Sequence, residues 1–450
     1  MSVHFYAIFS ILPGFCETGK KSHGYFVKKA GIWSNSKIVF TSLRSIRYTV
    51  KRITRRLTPS VSERGLSMIA LPKNFETYPE ARKAGFLRMK ALKAQGQRVV
   101  GVFCSFVPTE LIYAAGAIPI GLCAFTEEPI PAAEAHLPRN LCPLIKASYG
   151  FALTDTCPYF YFSDFIIGET TCDGKRKMFE LLDEIKPTYV MQLPPSKVAL
   201  HALESWKAEM VRLRRQLEEF YGIEITDEAI REAIRRKNHE RDVMLRFMEL
   251  GKLNPAALSG YEIGTRLDAS AFSFDLEARC NEIEARTREV LEGWEKNVKG
   301  TESRRPRLLV TGCPNTGVRD KIIKAVEEMG ADVVCFDACN GLRDKLRKVD
   351  ENKPVMDALA EKYLDITCSV MSPNPQRLTD IGDMIDQYEV DGVIEIILQA
   401  CHTYNIEAYE VKRYVTEQKG KAYLCLETDY SQADKGQIAT RLGAFLEMLG

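Results

Sequence analysis

The stretch "RVVGVFCSFVPTELIYAAGAIPIGL", residues 98–122, decides the fold. Arg98 to Phe103 is a continuous apolar run of the kind a strand buried on both faces needs, and it stops at Cys104. Pro108 follows at a plausible first helical position. Leu111, Ile112 and Ala115 then make one apolar face, Gly116 ends the helix, and a second short strand begins. The order is strand, cysteine, helix, strand.

The same logic returns downstream. "DFIIGETTC" (164–172) reads as strand and loop, "DGKRKMFELLDEI" (173–185) as a helix, and "PTYVMQLP" (187–194) as the next strand. Strands joined through helices by short loops predict a parallel sheet with right-handed crossovers. From about 200 to 300 the pattern becomes helical. Leu203, Trp206, Met210, Leu213, Leu217 and Phe220 form one amphipathic stripe, which reads as core packing, and Thr226 before Asp227 and Glu228 starts another helix. After the polar linker "KNVKGTESRRP" (296–306) the first pattern resumes with "RLLVTG", "GVRDKIIKAVEEMG", "ADVVCFD", "VDGVIEIIL" and "KAYLCLE". The expected architecture is α/β: two Rossmann-like parallel-sheet domains at 68–200 and 303–450, with a helical region at 201–302 between them.

A chain of 450 residues with 45% hydrophobic content exceeds what one core supports. No run of about 20 uninterrupted apolar residues is present, so no bilayer span is expected. The net charge of +2 conceals an asymmetry. Residues 1–66 hold 12 Lys and Arg against Glu17 and Glu63, which leaves 50 basic against 58 acidic residues in the remainder. An acidic body gives no reason to expect a nucleic-acid partner. The basic leader, 1–67, lacks the charged residues that a secretory signal carries ahead of its apolar run, and reads as upstream sequence from a misplaced start, a disordered tail or a targeting segment.

Thirteen cysteines in a chain lacking an export signal argue against a disulfide framework and for buried thiols, catalysis or metal. Cys335 and Cys425 lie inside apolar strands and Cys123 just after one, where a free cysteine acts as a small hydrophobe. Cys104, Cys172, Cys313, Cys339 and Cys401 instead follow strands, at the carboxyl rim where open α/β sheets bind ligands. Two such sheets facing each other would direct these thiols into one cleft. Soft thiolates suit zinc, copper(I) or an iron–sulfur cluster. Zinc is the weaker candidate, because the wide spacings from Cys104 to Cys142, Cys142 to Cys172 and Cys339 to Cys401 lack the short knuckles of structural zinc sites. The loop "VTGCPNTG" (310–317) matches no nucleotide cradle, since Val318 and Arg319 follow Gly317. Any ATP requirement then lies in a partner.

"GVFCSFVPTELIYAAGAIPIGL", "LPRNLCPLIKASYGF", "GETTCDGKRKMFELL", "ILQACHTYNIE" and "LETDYSQADKGQIATRLGAFLEML" together resemble the 2-hydroxyacyl-CoA dehydratase / benzoyl-CoA reductase (component D) family. Within it, "TTCDGKRKM", "TGCP", "CHTYN" and "ETDYS" most resemble the double-cubane cluster branch. The similarity spans about residues 68–450. It implies that Cys104, Cys142 and Cys401 match the thiolates that hold a [4Fe–4S] cluster in dehydratase subunits. In double-cubane proteins further cysteines hold an [8Fe–9S] cluster: Cys172 and Cys339 are the expected additions, and Cys313 or Cys368 the sixth. Cys172 then stands at a helix N-terminus because the helix dipole favours a thiolate and an anionic cluster there. His402, Glu110 and Tyr404 are candidate proton donors, with Glu427 and Asp429 behind them. The activity implied is low-potential reduction of a small molecule by a cytoplasmic homodimer of anaerobic habit, fed electrons by an ATP-dependent iron–sulfur activator. The alternatives are a 2-hydroxyacyl-CoA dehydratase subunit with one [4Fe–4S] cluster and a non-catalytic electron carrier.

Overall fold

The computed structural model describes residues 70–450 apart from 271, 273, 302 and 340; the basic leader and Cys16 lie outside them. Eight strands form two parallel sheets. The first holds β1 (Arg98–Val102), β2 (Ala117–Gly121), β3 (Phe165–Glu169) and β4 (Thr188–Met191) in the order β2-β1-β3-β4. The second holds β5 (Arg307–Gly312), β6 (Asp332–Asp337), β7 (Gly392–Leu398) and β8 (Ala422–Thr428) in the order β6-β5-β7-β8. The two halves repeat one topology. The chain leaves the central strand on one side and returns on the other, so each sheet has a switch point between its two middle strands, where a crevice opens at the carboxyl ends. Strands β3, β5 and β7 are buried along their whole length, as parallel strands covered on both faces must be.

The helices that matter are α1 (Glu80–Ala94), α2 (Thr109–Ala114), α3 (Pro143–Leu153), α4 (Asp173–Ile185), α5 (Ala202–Tyr221), α6 (Asp227–Met248), α7 (Gly260–Ser270), α8 (Leu276–Asn297), α9 (Val355–Leu364), α10 (Pro375–Gln387), α11 (His402–Arg413) and α12 (Lys435–Glu447). Trp206, Met210, Leu213 and Leu217 of α5 are fully buried, so the middle of the stripe is core as its spacing predicts, whereas at its ends Leu203 is exposed and Phe220 half-buried. Thr226 caps α6, its hydroxyl accepting the Ala229 N–H at 3.2 Å. The helical region is more than an insertion. Helix α5 packs on α9 of the second half, while α6 packs on α2 of the first half and on α8. One continuous apolar core therefore runs through both halves.

Buried charge locks the second sheet. The Asp337 carboxylate at the end of β6 takes hydrogen bonds from Arg343 (2.9 Å) and Arg377 (3.3 Å), and Arg377 also reaches Glu395 at 3.0 Å and Glu407. The two arginines hold the Asp337 carboxyl down to about 2 against the opposing effect of burial.

The glycines of "VTGCPNTG" serve chain packing. Gly312 has φ +104°, and a Cβ there would lie 2.1 Å from the Ile396 carbonyl oxygen; a Cβ on Gly317 would lie 2.4 Å from the Phe125 carbonyl oxygen. Gly312→Ala is expected to destabilise the protein by at least about 1–3 kcal/mol, the cost of a strained backbone conformation alone. The shift of the chemical denaturation midpoint measures it, and an unchanged midpoint refutes the packing role.

Candidate metal centre

The rims of both sheets border one cavity of about 620 Å³. Eight cysteines line it: Cys104, Cys123, Cys142, Cys172, Cys313, Cys339, Cys368 and Cys401. All twelve described cysteines are free thiols. Chain order explains the convergence. Cys104, Cys123 and Cys172 follow β1, β2 and β3, while Cys313, Cys339 and Cys401 follow β5, β6 and β7. Cys142 and Cys368 each precede a crossover helix, α3 and α10. Each half thus contributes four thiols from the same four places.

All seven cysteines expected from the sequence border the cavity, and so does Cys123, which the sequence reading placed in the core. Strand β2 ends at Gly121, so Cys123 lies beyond the strand at the rim rather than within the packing. Cys335, inside β6, is buried in the core as expected, and Cys425 of β8 is half-buried and packs against it.

Local backbone sets the thiols. Cys142, Cys172 and Cys401 are the N-cap residues of α3, α4 and α11, so three helix N-termini deliver their positive ends to the cavity. Cys104 itself adopts φ +54° and Ala400, just before Cys401, φ +58°, conformations that a non-glycine residue holds only where its surroundings enforce them.

The charge at the centre comes from Lys175, on the first turn of α4 and only 4% exposed. Its ammonium donates to the Cys104 sulfur at 2.5 Å and lies 3.8 Å from that of Cys123. A hydrogen bond from Cys104 and the Lys175 charge pull the Cys123 thiol down to about 6. The same shared proton, with burial, pushes Cys104 up. A hydrogen bond from Cys313 likewise lowers Cys401 to about 7. Burial pushes Cys142 and Cys339 up to about 12 and raises Cys172. At Cys172 the low dielectric therefore outweighs the helix terminus.

The polar candidates divide. His402, first residue of α11, is exposed and borders the cavity. Tyr404 also borders it; its hydroxyl accepts from Arg343 and lies 3.8 Å from the Cys368 sulfur. Glu110 is wholly buried behind the lining, one carboxylate oxygen taken by Arg241 at 2.6 Å and the other by the Tyr363 hydroxyl at 2.7 Å. Asp429 accepts the Ser431 N–H at 2.8 Å and Glu427 the Asn405 amide at 3.3 Å, while the N-cap of α12 is Asp434. Lys175 was missed; its signal was a lysine in the first turn of a helix capped by a candidate ligand.

The profile of the 2-hydroxyglutaryl-CoA dehydratase, D-component, family matches residues 104–449, and the chain belongs to that family. The Escherichia coli (strain K12) protein called "Putative dehydratase subunit YjiM" is 49% identical over 379 residues, covering 84% of this chain and 98% of its own length. The (R)-phenyllactyl-CoA dehydratase beta subunit of Clostridium sporogenes is 24% identical over 365 residues, 80% of this chain and 94% of its own. The (R)-2-hydroxyglutaryl-CoA dehydratase subunit beta of Acidaminococcus fermentans is 23% identical over 376 residues, 79% and 94%. No helix among the described residues is long and apolar enough to cross a membrane.

Proposed function

We propose that the chain holds a double-cubane iron–sulfur cluster in the cavity and reduces a small molecule there, receiving electrons from a separate ATP-dependent iron–sulfur activator. The observation that carries this reading is the number of thiols: eight border one space, where a single [4Fe–4S] cluster takes three or four. The donor chemistry agrees. Soft sulfur ligands, three helix N-termini and a buried lysine suit an anionic multi-iron group. Among the described residues no three metal-ligating side chains gather closely enough for one ion; the thiols surround a space instead.

Cys104, Cys142, Cys172, Cys339 and Cys401 would hold the cluster together with Cys313 or Cys368, and Cys123 is a further donor on the same rim. When bound, the cluster supplies single electrons at low potential. The chain's own groups do the rest. Lys175 holds a fixed positive charge against the thiolates of Cys104 and Cys123. His402, exposed at the cavity wall, can hold a proton toward a bound molecule. Tyr404 is pinned between Arg343 and Arg377, with guanidinium carbons 5.4 and 5.0 Å from its ring, and so orients the Cys368 side of the wall. Glu110 serves as an anchor for Arg241. The site is proposed to sit in a cytoplasmic homodimer, one per chain.

The names of the relatives favour a second reading, a dehydratase subunit carrying one [4Fe–4S] cluster beside a different partner subunit. Iron and sulfide analysis after anaerobic purification separates the two. About eight irons per chain are expected, whereas about four mark the dehydratase arrangement. Zinc without charge-transfer absorption overturns both. The purified chain is also expected to show no ATPase activity and no ATP-driven turnover until the activator is added, because no loop matches a nucleotide cradle. ATP hydrolysis by the chain alone contradicts that division of labour.

A further inference from the structure

Part of the cavity lining carries charge rather than sulfur. Lys237, Glu240 and Arg241 reach it from α6, Arg279 from α8, and Asp344 and Lys345 from the segment after β6. Both Lys237 and Arg279 bind the single carboxylate of Glu240. Arg241 is paired with Glu110 at 2.6 Å and Lys345 with Asp344 at 2.5 Å. Directly behind them Lys362 of α9 is 6% exposed, its ammonium 4.0 Å from the centre of the Tyr363 ring. Four cations of the lining, Lys237, Arg241, Arg279 and Lys345, thus share the three carboxylates of Glu110, Glu240 and Asp344 in one largely buried network, with Lys362 behind them. An uncompensated charge in low dielectric is costly, and a site that keeps one is built to meet an opposite charge from outside.

We infer that this wall is an oxyanion subsite, in which Lys237 and Arg279, supported by Lys345, receive a carboxylate or phosphate group of the small-molecule substrate. The inference rests on the proposed function for the cavity and narrows its substrate class to an anion. Two features support it beyond the charge count. The cations border the same space as the thiols, so a molecule held by its anionic end here reaches toward them. The surplus is also felt locally. Burial first, and the neighbouring Arg241 second, lower the Lys362 ammonium to about 7, although Asp344 and Glu110 face it and oppose the shift; Lys237 adds to it. A further cation cannot be held comfortably there, whereas an anion can.

The other use of such a wall is to balance the thiolates and whatever they hold. The test separates these. Inorganic phosphate and acetate are titrated in parallel into the anaerobically purified full chain by calorimetry, with iron content measured on the same samples. Binding of either probe is expected, phosphate alone marking a phosphoryl group and acetate alone a carboxylate. Lys237→Gln and Arg279→Gln are expected to weaken the bound probe about tenfold or more, the loss of one charged hydrogen bond, with iron unchanged. Lys345→Gln, at the half-buried edge, gives the same direction several-fold even if the deeper variants fail to fold. No binding of either probe to the wild-type chain overturns the inference. So does a set of variants that lose iron while binding the probe as before, because the wall then balances the metal centre. An iron-free wild-type chain that still binds the probe refutes the cluster and leaves the subsite standing, so the two failures are distinguishable.

Discussion

Removing the Cys172 or Cys401 thiol is expected to strip the chain of about half or more of its iron while leaving it folded. Both sulfurs sit at N-caps whose helix ends face the cavity, and neither side chain caps its helix through a hydrogen bond, so alanine costs the helix little. The loss is therefore specific to metal. Cys335→Ala and Cys425→Ala are the controls: both thiols pack in or against the core, one inside β6 and the other on β8, and their variants are expected to keep the full iron count with some loss of stability. Cys123→Ala extends the series. Its sulfur borders the cavity beside Lys175, and reduced iron or a changed absorption spectrum is expected for it too. Wild-type iron and spectrum in Cys172→Ala contradict the reading of the rim as a metal centre.

The fold was legible because parallel α/β structure writes itself locally. Each buried strand is a short β-branched run, each crossover helix carries its own cap or stop, and Arg98–Val102 with Phe165–Glu169 predict a sheet without knowledge of the partner strands. Register and sheet order come from contacts distant in sequence. The recurrence of one strand order in both halves was accordingly invisible until the pairing of β1 with β3 and of β5 with β7 was known. The bridging role of α5 and α6 was hidden for the same reason, since an amphipathic stripe announces a buried face but not what covers it.

The site was legible to the extent that it follows strand ends. A thiol just beyond a strand's carboxyl end was the rule that found Cys104, Cys172, Cys313, Cys339 and Cys401; applied one strand earlier, it finds Cys123 as well. There the apolar "AIPIGL" run blurred the end of β2. The charged wall could not be read this way. Lys237, Arg279 and Lys345 lie on separate helices and a loop, each among other charges, and an exposed charged face and a cavity lining look alike in sequence until packing buries one of them.

Lys175→Met is expected to have the largest electrostatic effect of any single change in the cavity. In the wild-type chain a proton shared with Cys104 and the Lys175 ammonium keep Cys123 near 6, far below the ordinary thiol value of about 8.5. Without the ammonium the Cys104 hydrogen bond still opposes burial, and the thiol is expected to rise from about 6 toward its ordinary value. The sign for stability follows from the lowered value. The Cys123 contribution is present above the unfolded thiol range and is lost as pH falls through about 6; in the variant it shrinks, and what is left is lost at a higher pH. Ultraviolet thiolate absorbance against pH reads the change directly, and at neutral pH a several-fold drop in the Cys123 thiolate fraction is expected. Methionine keeps the length and the apolar stem of the lysine, so packing against the Phe103 ring, 5.5 Å from the ammonium, persists and the effect isolates charge. Were the proposed cluster bound there, the same loss of a buried cation would make it harder to reduce and shift its potential to more negative values. An unchanged thiolate titration shows that the Cys104 hydrogen bond, and not Lys175, sets the Cys123 thiolate.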